Sequence, residues 1–195
     1  VYDKTKAGDQ TVTITCLGKS DTVTVHAKAI KSISIVSGYD AYVKVGTAIN
    51  TENVKINVTY TDGEIVENVT PDEVSANNQT GAITATYTER GVEQTDTKEN
   101  AVVILQITGM VASGLADKID IGNELDKTNL TVTVTYSGGG YTETEVVTTG
   151  IEISGFDKNT AGEQALTISV PSLSTTVKAT NLTVVVRKIS SIAIV

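Results

Sequence analysis

Apolar and polar residues alternate along most of this 195-residue chain. In the clearest tracts every second side chain is aliphatic, aromatic or Cys, and these tracts are residues 12–16, 54–60, 130–136 and 166–170. A period of two places alternate side chains on opposite faces of a strand, with one face buried and the other in water. No window has the apolar spacing of an amphipathic helix. The pattern therefore predicts an all-β protein.

Turn-forming residues separate the alternating tracts. Residues 61–64 read Thr-Asp-Gly-Glu and predict a hairpin, because Gly tolerates the positive φ that tight turns demand. Residues 137–140 read Ser-Gly-Gly-Gly at the matching place and predict a longer, looser loop. Closely spaced strands joined by such turns favour β-sandwiches, in which every strand contributes one apolar face to a core.

Two internal repeats divide the chain. Residues 1–25 align with residues 155–179 and share the pattern Asp-Lys-x-x-Ala-Gly-x-Gln-x-x-Thr-Ile. Residues 37–60 align in the same way with residues 113–136, from a Ser-Gly pair to a Val-Thr-Tyr triplet. Such self-similarity is typical of an array of small modules. The predicted modules are the C-terminal part of a truncated repeat at 1–36, whole repeats at 37–110 and 111–187, and a linker or first strand of a next repeat at 188–195.

Charge and composition narrow the classes of partner. The formal net charge is −8 and the isoelectric point is about 4.6, so there is no basic stripe to displace counterions from nucleic acid. The single cysteine excludes an internal disulfide, and the absence of a long apolar run argues against direct membrane insertion. Because the chain begins at Val1 without a signal peptide, we expect it to be an excerpt from a longer polypeptide.

Residues 121–168 resemble a known family. The turn at Gly122 is followed by Leu-Thr-Val-Thr-Val-Thr-Tyr at 130–136, Gly-Phe-Asp at 155–157 and Ala-Gly-Glu-Gln-Ala-Leu-Thr-Ile at 161–168. This order resembles the bacterial immunoglobulin-like (Ig-like) repeat. The likeness extends to Val-Thr-Tyr-Thr-Asp-Gly at 58–63, whereas the second half of that repeat lacks the Ala-Gly-x-Gln signature. The resemblance implies tandem Ig-like β-sandwich domains at a bacterial cell surface or in the extracellular medium, without shared catalytic residues.

The function that the resemblance implies is structural. We expect a non-catalytic stalk or spacer of an adhesin or S-layer type of protein, with neighbouring Ig-like repeats of the same long chain as its partners. Two alternatives stay open: a module that binds a glycan or a host surface protein, and an assembly subunit or decoration of an S-layer, filament or phage particle. For a binding module, the candidate contact loop consists of Ser137, Gly138, Gly139, Gly140 and Tyr141.

Four single residues merit separate predictions. Cys16 shares a phase with the apolar positions of its strand, so we expect it to be buried. His26 lies on the polar phase, and we expect an exposed side chain without a catalytic role. No cofactor is expected, and calcium is the one metal considered. Asp117 and Asp120 are its candidate ligands, although Asp favours turns in any case.

Overall fold

The computed structural model describes residues 1–173 and 179–193. The predicted all-β fold is confirmed, because the described residues form strands joined by turns and include one short 3-10 turn at Pro171–Leu173 but no α-helix. The strands are β1 Gly8–Cys16, β2 Lys19–Ala27, β3 Ile30–Ser37, β4 Tyr42–Lys44, β5 Lys55–Tyr60, β6 Ile65–Val69, β7 Glu73–Ala76, β8 Ile83–Glu89, β9 Val92–Lys98, β10 Val103–Ser113, β11 Lys118–Asp120, β12 Thr131–Gly138, β13 Tyr141–Val147, β14 Glu152–Ser154, β15 Gly162–Ser169 and β16 Ala179–Arg187.

The chain divides into two compact units. Unit 1 contains Val1–Val43 and Thr47–Ile104, and unit 2 contains Lys44–Gly46 and Leu105–Val195. The boundaries of the repeats at 36, 110 and 187 stay predictions. Residues 194 and 195, at the end of the predicted strand of a next repeat, lie outside the described residues.

Unit 1 contains two three-stranded antiparallel sheets, in the orders β3-β5-β6 and β7-β8-β9. Both sheets contribute to one apolar cluster, in which Ile56 and Val58 of β5 and Ile83 and Ala85 of β8 are completely buried. Their neighbours along each strand point outward, as the period of two predicts. The core of unit 1 is therefore formed by the apolar faces of both sheets.

The hairpin of β1 and β2 forms a separate two-stranded sheet in unit 1. Its turn is Leu17-Gly18, with φ of 48° and 77°, which suits the right-handed twist of paired strands. Cys16 is exposed, so its predicted burial is wrong. β1 is a strand, as the alternation predicts, but Ile14 on the same face as Cys16 is 60% exposed. Among the described residues nothing covers this end of the hairpin, and the exposure of Cys16 follows from that.

Unit 2 contains the antiparallel strands β10, β12 and β13 in one sheet, with residues 44–46 at its edge. The second sheet has the order β11-β16-β15-β14, in which β11 and β16 are parallel. Completely or almost completely buried aliphatic side chains line both sheets, namely Val132 and Val134 on the first and Leu166, Ile168 and Val184 on the second.

The repeated Ser-Gly pair has a steric explanation. A Cβ atom on Gly38 would lie 1.8 Å from the main-chain oxygen of Asn53, and one on Gly114 would lie 1.9 Å from that of Asn129. Both glycines have a φ of 90°, a conformation that L side chains rarely adopt. Two reasons therefore require glycine at each position, and the same backbone contact occurs in both units.

Candidate functional site

In the most strongly repeated motif, Asp-Lys-x-x-Ala-Gly-x-Gln, the glutamine side chain bonds to the backbone of its own turn. The Gln164 amide accepts a hydrogen bond from the Asp157 main-chain nitrogen at 2.8 Å and donates to the main-chain oxygens of Asp157 and Thr160, both at 2.7 Å. Gln10 makes the same three contacts around Asp3. The pattern Asp-Lys-x-x-Ala-Gly-x-Gln therefore satisfies backbone groups that would otherwise lack partners in a turn.

The aspartates of these turns are engaged locally. Hydrogen bonds from the Asn159 main-chain nitrogen and the Thr160 hydroxyl lower the pKa of Asp157. The hydroxyl and main-chain nitrogen of Thr5 lower the pKa of Asp3 in the same way. Each carboxylate thus caps its own turn, and the repeated motif is explained without a ligand.

The calcium candidates Asp117 and Asp120 lie at the two ends of β11. Asp120 forms an ion pair with Arg187 at 2.8 Å, and the main-chain oxygen of Asp117 accepts a hydrogen bond from the Val185 nitrogen at 2.9 Å. In residues 1–173 and 179–193, no group of three or more His, Cys, Asp or Glu side chains is arranged to hold a metal ion. Calcium binding here stays a prediction.

The candidate binding loop is tighter than expected. β12 ends at Gly138 and β13 begins at Tyr141, so only Gly139 and Gly140 form the turn, with φ of 56° and 81°. The prediction of a long, loose loop at 137–140 is wrong, because two consecutive glycines can both adopt positive φ and close a two-residue hairpin. Residues 61–64, between β5 and β6, form the longer connection.

The hairpin at 137–141 presents few groups to a ligand. Ser137 shares a hydrogen bond of 3.0 Å with the Thr142 hydroxyl on the neighbouring strand. The Tyr141 side chain is 42% exposed and is the loop's aromatic group. Contact of this loop with a glycan or a protein stays a prediction.

A lysine–tyrosine clasp, which the sequence did not indicate, lies on the first sheet of unit 2. The Lys44 ammonium is 4.9 Å from the centre of the Tyr136 ring and pairs with Glu145 at 2.8 Å and Glu143 at 3.1 Å. Hydrogen bonding to Glu145 raises the pKa of Lys44, and burial raises the pKa of the Tyr136 hydroxyl. Lys44 is therefore a permanent cation at neutral pH and has no basic lone pair to offer a reaction.

Unit 1 contains a second clasp around Tyr60, which matches Tyr136 in the repeat. The Lys28 ammonium lies 4.3 Å from the Tyr60 ring centre and pairs with Glu64. The Tyr60 hydroxyl donates to Glu89 at 2.7 Å, and this bond is the main reason why the Tyr60 pKa rises to about 12. A main-chain hydrogen bond lies beside this clasp: the Thr61 nitrogen donates to the Ala29 oxygen at 2.9 Å.

The two clasps use lysines from unrelated positions in the repeat. Lys28 directly follows β2, whereas Lys44 ends β4, and the tyrosine is the shared element. A search for repeated lysines would therefore miss them. The available signal was the repeated Val-Thr-Tyr, in which the tyrosine is the last buried residue of its strand.

His26 is exposed, as predicted, but it has a partner across the hairpin. Its Nδ1 atom is hydrogen-bonded to the carboxylate of Asp9, its register partner on β1. The bond to Asp9 raises the pKa of His26. This pair is a cross-strand contact on the polar face of the hairpin.

One part of the chain matches a known protein family. Residues 117–184 match the family model of the bacterial Ig-like domain (group 3). The match begins directly before β11 and ends at residue 184 within β16, before the β16 residues that pair with β11. It supports a bacterial Ig-like module, of a kind that is generally non-catalytic and typical of bacterial extracellular proteins.

The other comparisons add no relative. No curated protein matches the chain, and no solved structure matches it either. In the part of the chain that the structure describes, no helix is long and apolar enough to cross a membrane.

Proposed function

We propose that this chain is a non-catalytic structural spacer, built from tandem Ig-like β-sandwich repeats, in a bacterial cell-surface or secreted protein. The observation that carries this proposal is the repetition of backbone contacts rather than of surface groups. Gly38 packs on Asn53 as Gly114 packs on Asn129, and Asn129 lies within residues 117–184, which match the bacterial Ig-like domain. An array that repeats its scaffold and varies its surface is suited to holding another part of the protein at a distance.

The engagement of polar groups also favours a spacer. The repeated Asp, Gln and Tyr side chains, and the lysines that contact the tyrosine rings, bond within their own unit, and the described residues contain no buried side-chain nitrogen or oxygen without a partner. A net charge of −8 favours solubility and opposes self-association. These properties suit a module that is exposed to solvent on all sides.

The rival binding function can be tested at the 137–141 hairpin. The full chain is assayed on a glycan microarray and on host-cell surface proteins, beside a variant in which residues 137–140 are replaced by the Thr-Asp-Gly-Glu sequence of 61–64. We expect no saturable binding by either protein. Saturable binding by the natural sequence that the variant loses would refute the spacer proposal and support an adhesin module.

Assembly is a second candidate function, favoured by the solvent-exposed apolar face of the β1–β2 hairpin. Ile14 and Val23 are 60% and 44% exposed on it. Ile189 and Ile192, at 78% and 83%, repeat the Ile-x-Ser-Ile spacing with which β3 begins. In unit 1, β3 packs against β9. The hypothesis is that residues 189–193 of a second copy cover the hairpin in a head-to-tail contact.

Sedimentation equilibrium tests this assembly. A head-to-tail contact predicts oligomers that grow with protein concentration and that Ile192→Asp abolishes, whereas the exposed change Thr148→Asp leaves them intact. A monomer at millimolar concentration would exclude the assembly role and leave the spacer proposal untouched.

A further inference from the structure

The outward side of the first sheet of unit 2 is made of uncharged residues. The residues of β12 that point away from the core are Thr131, Thr133, Thr135 and Ser137. These residues and their register partners on β10 and β13 form a surface that we call the neutral face. Every position of this surface lies within the described range 1–173 and is Gly, Val, Ser, Thr or Gln, in a chain whose net charge is −8. The neutral face therefore lacks the charge that the chain as a whole carries.

The centre of the neutral face is an apolar row across three strands. Thr133 of β12 pairs with Val111 of β10 on one side and with Val146 of β13 on the other. The two valines are 57% and 60% exposed. Single exposed aliphatic residues are ordinary, but here two of them flank a threonine in one row on a flat sheet. The row therefore presents a continuous strip of methyl groups to solvent.

Hydroxyl groups beside this row bond to one another across the strands. The Ser113 and Thr131 hydroxyls share a hydrogen bond of 3.0 Å, and so do those of Ser137 and Thr142. These hydroxyls keep a partner when water leaves the surface, and removing water from a polar group costs least when the group is already bonded. The neutral face is thus suited to being covered.

Unit 1 does not repeat the neutral face. Its strands β3 and β5 pair Ser34 with Asn57 where unit 2 pairs Val111 with Thr133. Lys55 lies two residues before Asn57 on the same side of β5, so this side of unit 1 also carries an ammonium group. The fold shared by the two units does not require an apolar, uncharged outward face, and the neutral face is specific to unit 2.

We propose that the neutral face is a lateral contact surface for a second copy of this chain, in which two neutral faces pack against each other about a two-fold axis. Two sheets can pack face to face with their strands nearly aligned, and a two-fold contact brings the same patch of both copies together. Two chains of charge −8 repel each other. A face without charges is where they can approach closely without placing like charges opposite one another.

The area of the neutral face determines the strength of the contact. Three strands at a spacing of about 4.8 Å, over the 7 residues of β13, cover about 350 Å² on each copy. The total of about 700 Å² is below the roughly 1,200 Å² that stable complexes bury. The contact is therefore weak for one pair, and it gains strength where several copies are held side by side.

Sedimentation equilibrium of the full chain, at up to about 1 mM protein and at low and high salt, tests the contact. We expect a monomer–dimer equilibrium that salt strengthens, because salt screens the repulsion between the chains while the contact has no ion pair to lose. Concentration-dependent amide shifts in an NMR spectrum should include Val111, Thr133 and Val146. A chain that stays monomeric at about 1 mM in high salt would overturn the proposal.

Charged variants separate this surface from the net charge. Val146→Glu and Val146→Lys should each lower the association constant at least about tenfold, because a two-fold contact brings the two new like charges close together. Ser34→Glu adds the same charge at the matching exposed position of unit 1 and should leave association nearly unchanged. Association that Val146→Lys strengthens, or that Val146→Glu weakens no more than Ser34→Glu does, would overturn the proposal. Residue 146 is 60% exposed, and circular dichroism checks that both variants fold.

The lateral contact is distinct from the head-to-tail contact and from the spacer function. Ile192→Asp should leave the lateral dimer intact, whereas association that Ile192→Asp removes and Val146→Glu retains would assign it to the end of the chain and refute the neutral-face contact. The proposal goes beyond the spacer function and does not rest on it. A strictly monomeric chain would still serve as a spacer, and saturable binding to a glycan or host protein would refute the spacer without affecting the dimer.

Discussion

Replacement of Gly114 by Ala should destabilise unit 2 far more than the same change at Gly122. Both glycines have nearly the same backbone conformation, with φ of 90° and 91°. A Cβ atom on Gly122 meets nothing within 4 Å, whereas one on Gly114 would lie 1.9 Å from the Asn129 oxygen and 2.6 Å from its carbonyl carbon. The two substitutions therefore share the conformational cost and differ only in the clash.

The magnitudes follow from these two terms. Positive φ costs an L-residue about 1–2 kcal/mol, which is the whole expected effect of Gly122→Ala. At Gly114 the backbone must also separate by about 1 Å next to the buried Leu130, and the total should be about 3–5 kcal/mol. With about 4–8 °C per kcal/mol for a domain of this size, the expected fall in Tm is about 4–16 °C for Gly122→Ala and at least about 12 °C for Gly114→Ala.

Thermal and urea unfolding followed by circular dichroism measure both variants. Gly38→Ala provides an independent check, because its Cβ would lie 1.8 Å from the Asn53 oxygen in unit 1. Equal losses for Gly114→Ala and Gly122→Ala would refute the steric argument, since only conformation would then matter.

Three further predictions concern side chains. Lys44→Met should lower the free energy of unfolding in urea by up to about 1 kcal/mol, because the ion pairs are partly exposed. In a double-mutant cycle with Glu145→Gln, the absence of a coupling energy would contradict the clasp. The lowered pKa of Asp157 means that its stabilising contribution is complete above the ordinary value of 3.8 and is lost as the pH falls through the folded-state pKa. Asp157→Asn should therefore reduce the fall in the free energy of unfolding below about pH 4. An unchanged pH dependence in this range would count against the prediction. Cys16 should react with a thiol reagent in the native protein. In the double variant Cys16→Ser/Val170→Cys the thiol should react only on unfolding, because position 170 is buried. Equal protection of both thiols would be evidence against an exposed apolar face on the β1–β2 hairpin.

The regular parts of the fold were readable from the sequence because they obey local rules. The alternation at 54–60 and 130–136 predicts β5 and β12 with the correct buried face, since the side-chain period of a strand is fixed by its backbone. The Ser-Gly repeat was visible as an internal match, and Gly38 and Gly114 make the same backbone contact in the two units.

The features that the sequence did not predict depend on what surrounds each segment. Cys16 has the periodicity of a core residue, but burial also needs a second surface, and the described residues supply none at that place. The number of residues in a turn depends on where the strand register closes, so Ser-Gly-Gly-Gly formed a two-residue turn at Gly139 and Gly140. The clasps join Lys28 to Tyr60 and Lys44 to Tyr136 across long sequence separations, which periodicity cannot detect.

The identities between repeats limit where a ligand could act. Gly114 is required by an adjacent carbonyl, Gln164 by the backbone of its turn, and Tyr136 by the lysine that covers its ring. Each shared residue thus has a structural role that would preserve it in an array without any binding function. If the chain recognises a partner, the recognition must use positions at which the repeats differ, and the hairpin at 137–141 is one such position. Both facts agree with the proposed spacer function, because selection on length and fold would retain scaffold residues and leave the surface free to vary.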